Sequence, residues 1–133
     1  NLIDSILNRN LVSGQQNGLF IIYCFFLPLM YALNQADIDE FNRFIRGKAS
    51  DDILDFLANN SQFDTYYKDV SSDSKDKKDT STFTREIYNA LFNGTESNDR
   101  LVISDMAYID RLSIYKDRLI KACSLLDSNT KLD

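Results

Sequence analysis

Carboxylates are the reactive groups that recur at close spacing in this chain. Asp37, Asp39 and Glu40 form one group and Asp51, Asp52 and Asp55 another. Two carboxylates with separated pKa values suffice for general acid–base work, as in glycoside hydrolysis. Both groups, however, stand where a helix should begin. There an acid accepts hydrogen bonds from unpaired backbone N–H groups and faces the positive end of the helix dipole, so capping accounts for them without catalysis. Asp69, Asp73, Asp76 and Asp79 raise calcium as a ligand. Lys75, Lys77 and Lys78 interrupt these acids, no glycine supplies the central turn, and Thr80 stands where the terminal Glu belongs in the Asp69 register. A solvated linker is the expectation there, and no metal site or cofactor is expected.

The chain has no histidine. That removes the commonest general base, the Ser–His and Cys–His nucleophile pairs and most zinc sites. Gly14 and Gly18 lack the Lys-Ser/Thr of a phosphate-binding loop. Cys24 and Cys123 both fall on apolar stripes, where a free thiol behaves as a small hydrophobe. Two cysteines are too few for a disulfide scaffold, and a reducing, intracellular setting is expected. Twenty acids against fifteen bases give a net charge of −5, which works against nucleic acid and anionic lipid. Arg43, Arg46 and Lys48 come nearest to a basic patch, and Asp37, Asp39 and Glu40 dilute it.

The elements that would position these residues read as helices. Four Gly and one Pro among 133 residues are too few for the turn-dense sequence of a β-sandwich. Leu19–Leu33 (LFIIYCFFLPLMYAL) is uncharged. It falls short of the roughly twenty apolar residues of a membrane span and has no basic flanks. It is expected to form the buried centre of an all-α fold, apolar all round and kinked or broken at Pro28, splitting into 18–27 and 29–34. Asn1–Val12 forms an amphipathic helix by its spacing, and Ser13–Gly18 reads as a polar loop.

After the run, Asp37 and Ser50 cap two short helices, with Gly47 a stop between them. Phe63, Tyr66, Tyr67 and Val70 mark a third. Ser71–Ser81 carries no large apolar residue and is expected to be a flexible loop that buries nothing. Phe83, Ile87, Leu91 and Phe92 mark the next helix, starting at Thr82 or Thr84. A long helical stripe then spans Asp99–Asp127, although Leu101-Val102-Ile103 locally favours a strand. The expectation is six to seven helices in a single domain over residues 1–133. Because the chain does not begin with Met, a piece of a longer or processed protein is expected, with no signal peptide visible.

A helical domain without catalytic groups acts by contact. Tyr66, Tyr67, Tyr108 and Tyr115 are placed by spacing at stripe edges, where a tyrosine can bury area and keep its polar tip in water. The expected function is a non-enzymatic docking or adaptor domain, binding another protein's segment in a groove between the last helix and Phe63–Val70. A membrane-active domain that inserts its central helix is the first alternative, and a carboxylate-dependent enzyme the second.

Overall fold

A computed structural model describes residues 13–94 and 99–131, with side chains described for 14–94 and 99–126. The helix expected over Asn1–Val12 lies outside them. Among the described residues 71% are helical, in six helices with one two-stranded sheet. Helix α1 comprises Ser13–Ile21, a π-helical turn at Ile22–Phe26 and Leu27–Ala36. There follow α2 (Ile38–Ile45), α3 (Asp51–Ala58), α4 (Ser61–Val70) and α5 (Thr80–Phe92). Strands β1 (Arg100–Ser104) and β2 (Ala107–Asp110) then lead into α6 (Leu112–Lys131).

Helix α1 departs from the expectation in three ways. Its first turns are the Ser13–Gly18 stretch that reads as a loop. Gly14 and Gly18, four apart, share one helix face, and β2 lies against it. A Cβ at Gly14 would stand 2.7 Å from the Tyr108 ring, and one at Gly18 would overlap the Tyr108 carbonyl oxygen. The glycines permit close approach of two backbones rather than a flexible turn. Second, Pro28 does not split the run. The helix widens one turn earlier, where the Leu27 N–H donates to the Ile22 carbonyl across a π turn. That gives the proline ring room which a regular turn would deny it. Third, the helix is not buried all round. Ile21, Ile22, Phe26 and Met30 are fully buried, while Pro28 and Ala32 are exposed, because the shell covers only part of its circumference.

The stripe over Asp99–Asp127 is not one helix. Arg100–Asp110 is an antiparallel hairpin with Leu101 opposite Ile109 and Val102 opposite Tyr108. Asp105-Met106 forms the tip, and Ile103 is an extra, bulged residue on β1, since Ser104 pairs with Ala107. Arg111, at φ 59°, turns the chain into α6. Asp99 then caps that helix from the base of the hairpin, its carboxylate accepting from Ser113 N–H at 2.7 Å and its carbonyl from Leu112 N–H at 3.0 Å. Leu112, Leu119 and Cys123 keep the inward stripe, now only on the second half of the segment.

The segment after α4 is shorter and better anchored than a flexible 71–81 loop that buries nothing. Helix α5 starts at Thr80, capped by the Asp79 carboxylate accepting from Thr82 N–H at 2.7 Å. Ser71, Thr80 and Thr84 are buried. Small hydroxylated residues are buried here because each finds an acceptor: Ser71 Oγ donates to the Tyr67 carbonyl at 2.6 Å, Thr84 Oγ1 to the Thr80 carbonyl at 2.7 Å, and Thr80 Oγ1 to the Asp64 carboxylate of α4. Lys78 N–H donates to the Tyr67 hydroxyl at 3.1 Å, tying the loop to α4.

Asp37 and Ser50 cap α2 and α3, as their positions predict. Glu40 does not reach back to complete a capping box; it bridges forward. Its buried carboxylate accepts from Ser50 N–H at 3.3 Å and from Arg43 Nε at 2.9 Å. Hydrogen bonds from Ser50, and then from Arg43, hold its pKa below the ordinary value of 4.5. Glu40 therefore stabilises the fold above that value, and the contribution is lost as pH falls through the lower, folded one. Glu40→Gln is expected to cost about 1–2 kcal/mol near neutral pH. Urea unfolding of both proteins at about pH 7 and about pH 3.5 checks this: the difference should shrink in acid.

Candidate docking groove

Of the four tyrosines expected at stripe edges, two are core residues. Tyr67 is 4% exposed and stacks on Phe83 with centroids 4.0 Å apart; Tyr115 is 6% exposed and meets Tyr23 edge-on at 6.3 Å. Each lies between two elements that close over it, so a helical stripe edge is here an interior seam. Tyr66 and Tyr108 are half-buried and structurally engaged. Tyr66 stacks on Phe20 and donates to Asn17 Oδ1 at 3.0 Å, and burial pushes its pKa up to about 12. Tyr108 lies under the Arg100 guanidinium, 4.3 Å from its ring centroid. The four do not converge on one surface. Nor do α6 and Phe63–Val70 wall a common groove, because α6 packs on the second half of α1 and on α5.

A groove does open on the other side of the hairpin. It encloses about 490 Å³ between β1 and the segment after α4, with Tyr67 and Phe83 among its lining. β1 lines it through four consecutive residues, Leu101 to Ser104, and the tip residue Asp105 adds a fifth. Successive strand residues point to opposite faces. A groove that touches both Leu101 and Val102, successive residues ahead of the bulge, therefore runs along the edge of β1 rather than over one face. Among the described residues the sheet has two strands, and no strand lies against the outer edge of β1. In an antiparallel pair alternate residues turn their N–H and C=O away from the partner. Among the described residues no backbone hydrogen bond reaches that edge of β1. The opposite strand is covered by α1 at Gly14 and Gly18.

The walls are set by specific contacts. Ser104 Oγ donates to the Val70 carbonyl, joining the end of β1 to the C-terminus of α4. Opposite β1, Lys78 pairs with Glu86 of α5, which raises the lysine pKa. Val102 stands 60% exposed at the rim. Of the four tyrosines expected to bind a partner, Tyr67 alone lines the groove. Leu101 and Val102 show in the sequence only as a local strand preference within what reads as a helix.

Of the acids clustered at helix starts, Asp37 caps α2 and Glu40 is held by Ser50 and Arg43. Asp51 and Asp55 both pair with Arg85, at 3.3 and 2.9 Å. The carboxylates whose pKa the fold moves are moved down: Glu40, Asp64 by the Thr80 hydroxyl and then Lys68, and Asp79 by Thr82 N–H. A catalytic acid requires the opposite direction. Among the described residues no three Cys, Asp or Glu side chains converge as metal ligands. Cys24 and Cys123 are free, and burial raises both thiols, Cys123 to about 11, away from nucleophilic character. The chain matches no family model, no curated protein and no solved structure.

Proposed function

We propose that this chain is a non-enzymatic protein-interaction domain that docks another protein's segment in the groove beside β1. The carrying observation is the outer edge of β1, unpaired among the described residues and followed from Leu101 to Ser104 by a groove that Tyr67 and Phe83 also line. Strand edges left open in soluble proteins are sites of pairing with another chain unless something blunts them. Here the blunting is partial: β1 is short, begins with Arg100 and carries the Ile103 bulge. Indiscriminate pairing is discouraged, while a segment whose side chains also fit the groove is admitted.

The test is to select peptides from a random displayed library on the intact chain and map them by amide chemical shifts. The expected result is perturbation concentrated on Leu101–Asp105 and the loop at 73–78, abolished in Val102→Lys. Selected peptides that map to the open side of α1 overturn the reading, as does a library that yields none.

One observation favours a second reading. Gly14–Ala36 is long and apolar enough to cross a membrane by length and composition, and one third of its most apolar stretch is buried. A membrane-active domain would release this helix from the core. Stable co-flotation with liposomes at neutral or acid pH supports that reading against docking.

A further inference from the structure

Resting on the docking reading, we propose that the occupant of the groove is an extended, basic segment of a partner protein, which adds to β1 as a third strand. The geometry supplies the backbone half of the argument. A ligand seated on one face of a sheet touches alternate residues, whereas this groove meets the successive residues Leu101 and Val102 of the regular strand. Only an extended chain presents donors and acceptors at the spacing of a strand edge. A helix keeps its backbone groups bonded internally and would leave the edge unsatisfied. The regular part of β1, Arg100–Val102, precedes the bulge at Ile103, so pairing would start there and stop at the bulge.

Charge supplies the other half. Four carboxylates, Asp73, Asp76, Glu86 and Asp105, line the groove against two ammonium groups, Lys75 and Lys78. Glu86 and Lys78 satisfy one another, leaving the acids in excess at the rim. Lys or Arg on the added strand would meet that excess, while its inward side chains would be apolar, against Phe83 and Leu101. A second copy of this chain fits poorly, because it would bring the same acids to face their own kind.

The test uses the intact chain and four probes: the peptide Lys-Thr-Val-Arg-Val-Thr-Val-Lys, its counterpart with Glu at the three basic positions, and two versions of the basic peptide N-methylated at alternate residues in either register. The basic peptide is expected to shift Leu101–Asp105 amides and to bind at least about tenfold more tightly than the acidic one, a preference that fades as salt screens it. One N-methylated register should lose binding and the other keep it, since only one set of N–H groups faces β1. Equal binding of both registers at the groove overturns strand addition but leaves docking standing. Tighter binding of the acidic peptide overturns the charge assignment alone. Self-association through β1 amides puts a second copy in the groove and overturns the partner. If no peptide perturbs the groove and library selection also fails there, the docking reading falls with the proposal.

Discussion

Gly18→Ala is expected to be among the most damaging single substitutions in the chain, although it adds one methyl group to a helix. Alanine is the better helix former by about 1 kcal/mol, so local propensity predicts a gain. The close packing of α1 on β2 predicts the reverse. The new Cβ would overlap the Tyr108 carbonyl oxygen and stand 2.7 Å from Ile109 Cγ1. Neither neighbour can retreat freely: the carbonyl is backbone, and Ile109 is fully buried. Forcing the two elements apart is expected to cost about 3 kcal/mol net. In a domain of this size that is a fall in melting temperature on the order of 10 °C. Thermal unfolding followed by circular dichroism reads it directly, with Gln15→Ala on the same helix as the control that should change little. A melting temperature equal to or above that of the parent would show that β2 does not lie against α1.

Phe44→Ala carries the second large effect, and it reports on the other end of the core. Phe44 is fully buried, with the Tyr88 ring at 4.8 Å, Phe92 at 5.1 Å and Phe26 at 6.4 Å. One side chain thus joins α1, α2 and α5. Removing the ring leaves a cavity with walls on three elements that cannot all close in, and the cost expected is about 3–5 kcal/mol. Domains of ordinary stability hold about 5–15 kcal/mol in all, so this variant should be close to unfolding at physiological temperature. Tyr88→Phe offers a scale. The Tyr88 hydroxyl donates to the Phe44 carbonyl at 2.6 Å and accepts from Ala49 N–H at 3.0 Å, and its loss should cost about 1–2 kcal/mol. Urea unfolding of the pair is expected to rank Phe44→Ala well below Tyr88→Phe. The opposite order would place the weight of this region on the hydrogen bonds.

What the amino-acid order reveals and what it hides follow from how far each signal acts. Asp37 and Ser50 are read correctly as caps because capping is settled within three residues. The inward stripe of α5, Phe83, Ile87, Leu91 and Phe92, is legible for a similar reason. Gly14 and Gly18 mislead because a glycine that admits a distant strand is identical in sequence to one that loosens a loop. The strand concerned lies almost ninety residues away, where Met106 accepts from Asn17 Nδ2. Pro28 misleads because its clash is relieved by a π turn, which leaves no trace in the spacing of side chains. The hairpin is the costliest omission, since it forms one wall of the groove. The run RLVISDMAYID fits a helical stripe in outline. Its β-branched residues and the two-residue tip at Asp105-Met106 decide for strands once α1 offers β2 a surface. Spacing puts Tyr67 and Tyr115 at margins because it gives the angle of a side chain on its helix but not which elements close over it.

The most direct test of the docking account is amide hydrogen exchange along β1 in the free, intact chain. An open edge predicts alternation: amides facing β2 exchange slowly, while those facing the groove exchange at least about tenfold faster. Addition of the basic peptide should then slow the fast set and leave the slow set unchanged. Uniform protection from Leu101 to Ser104 in the free chain would mean that the edge is already covered, and would contradict the account.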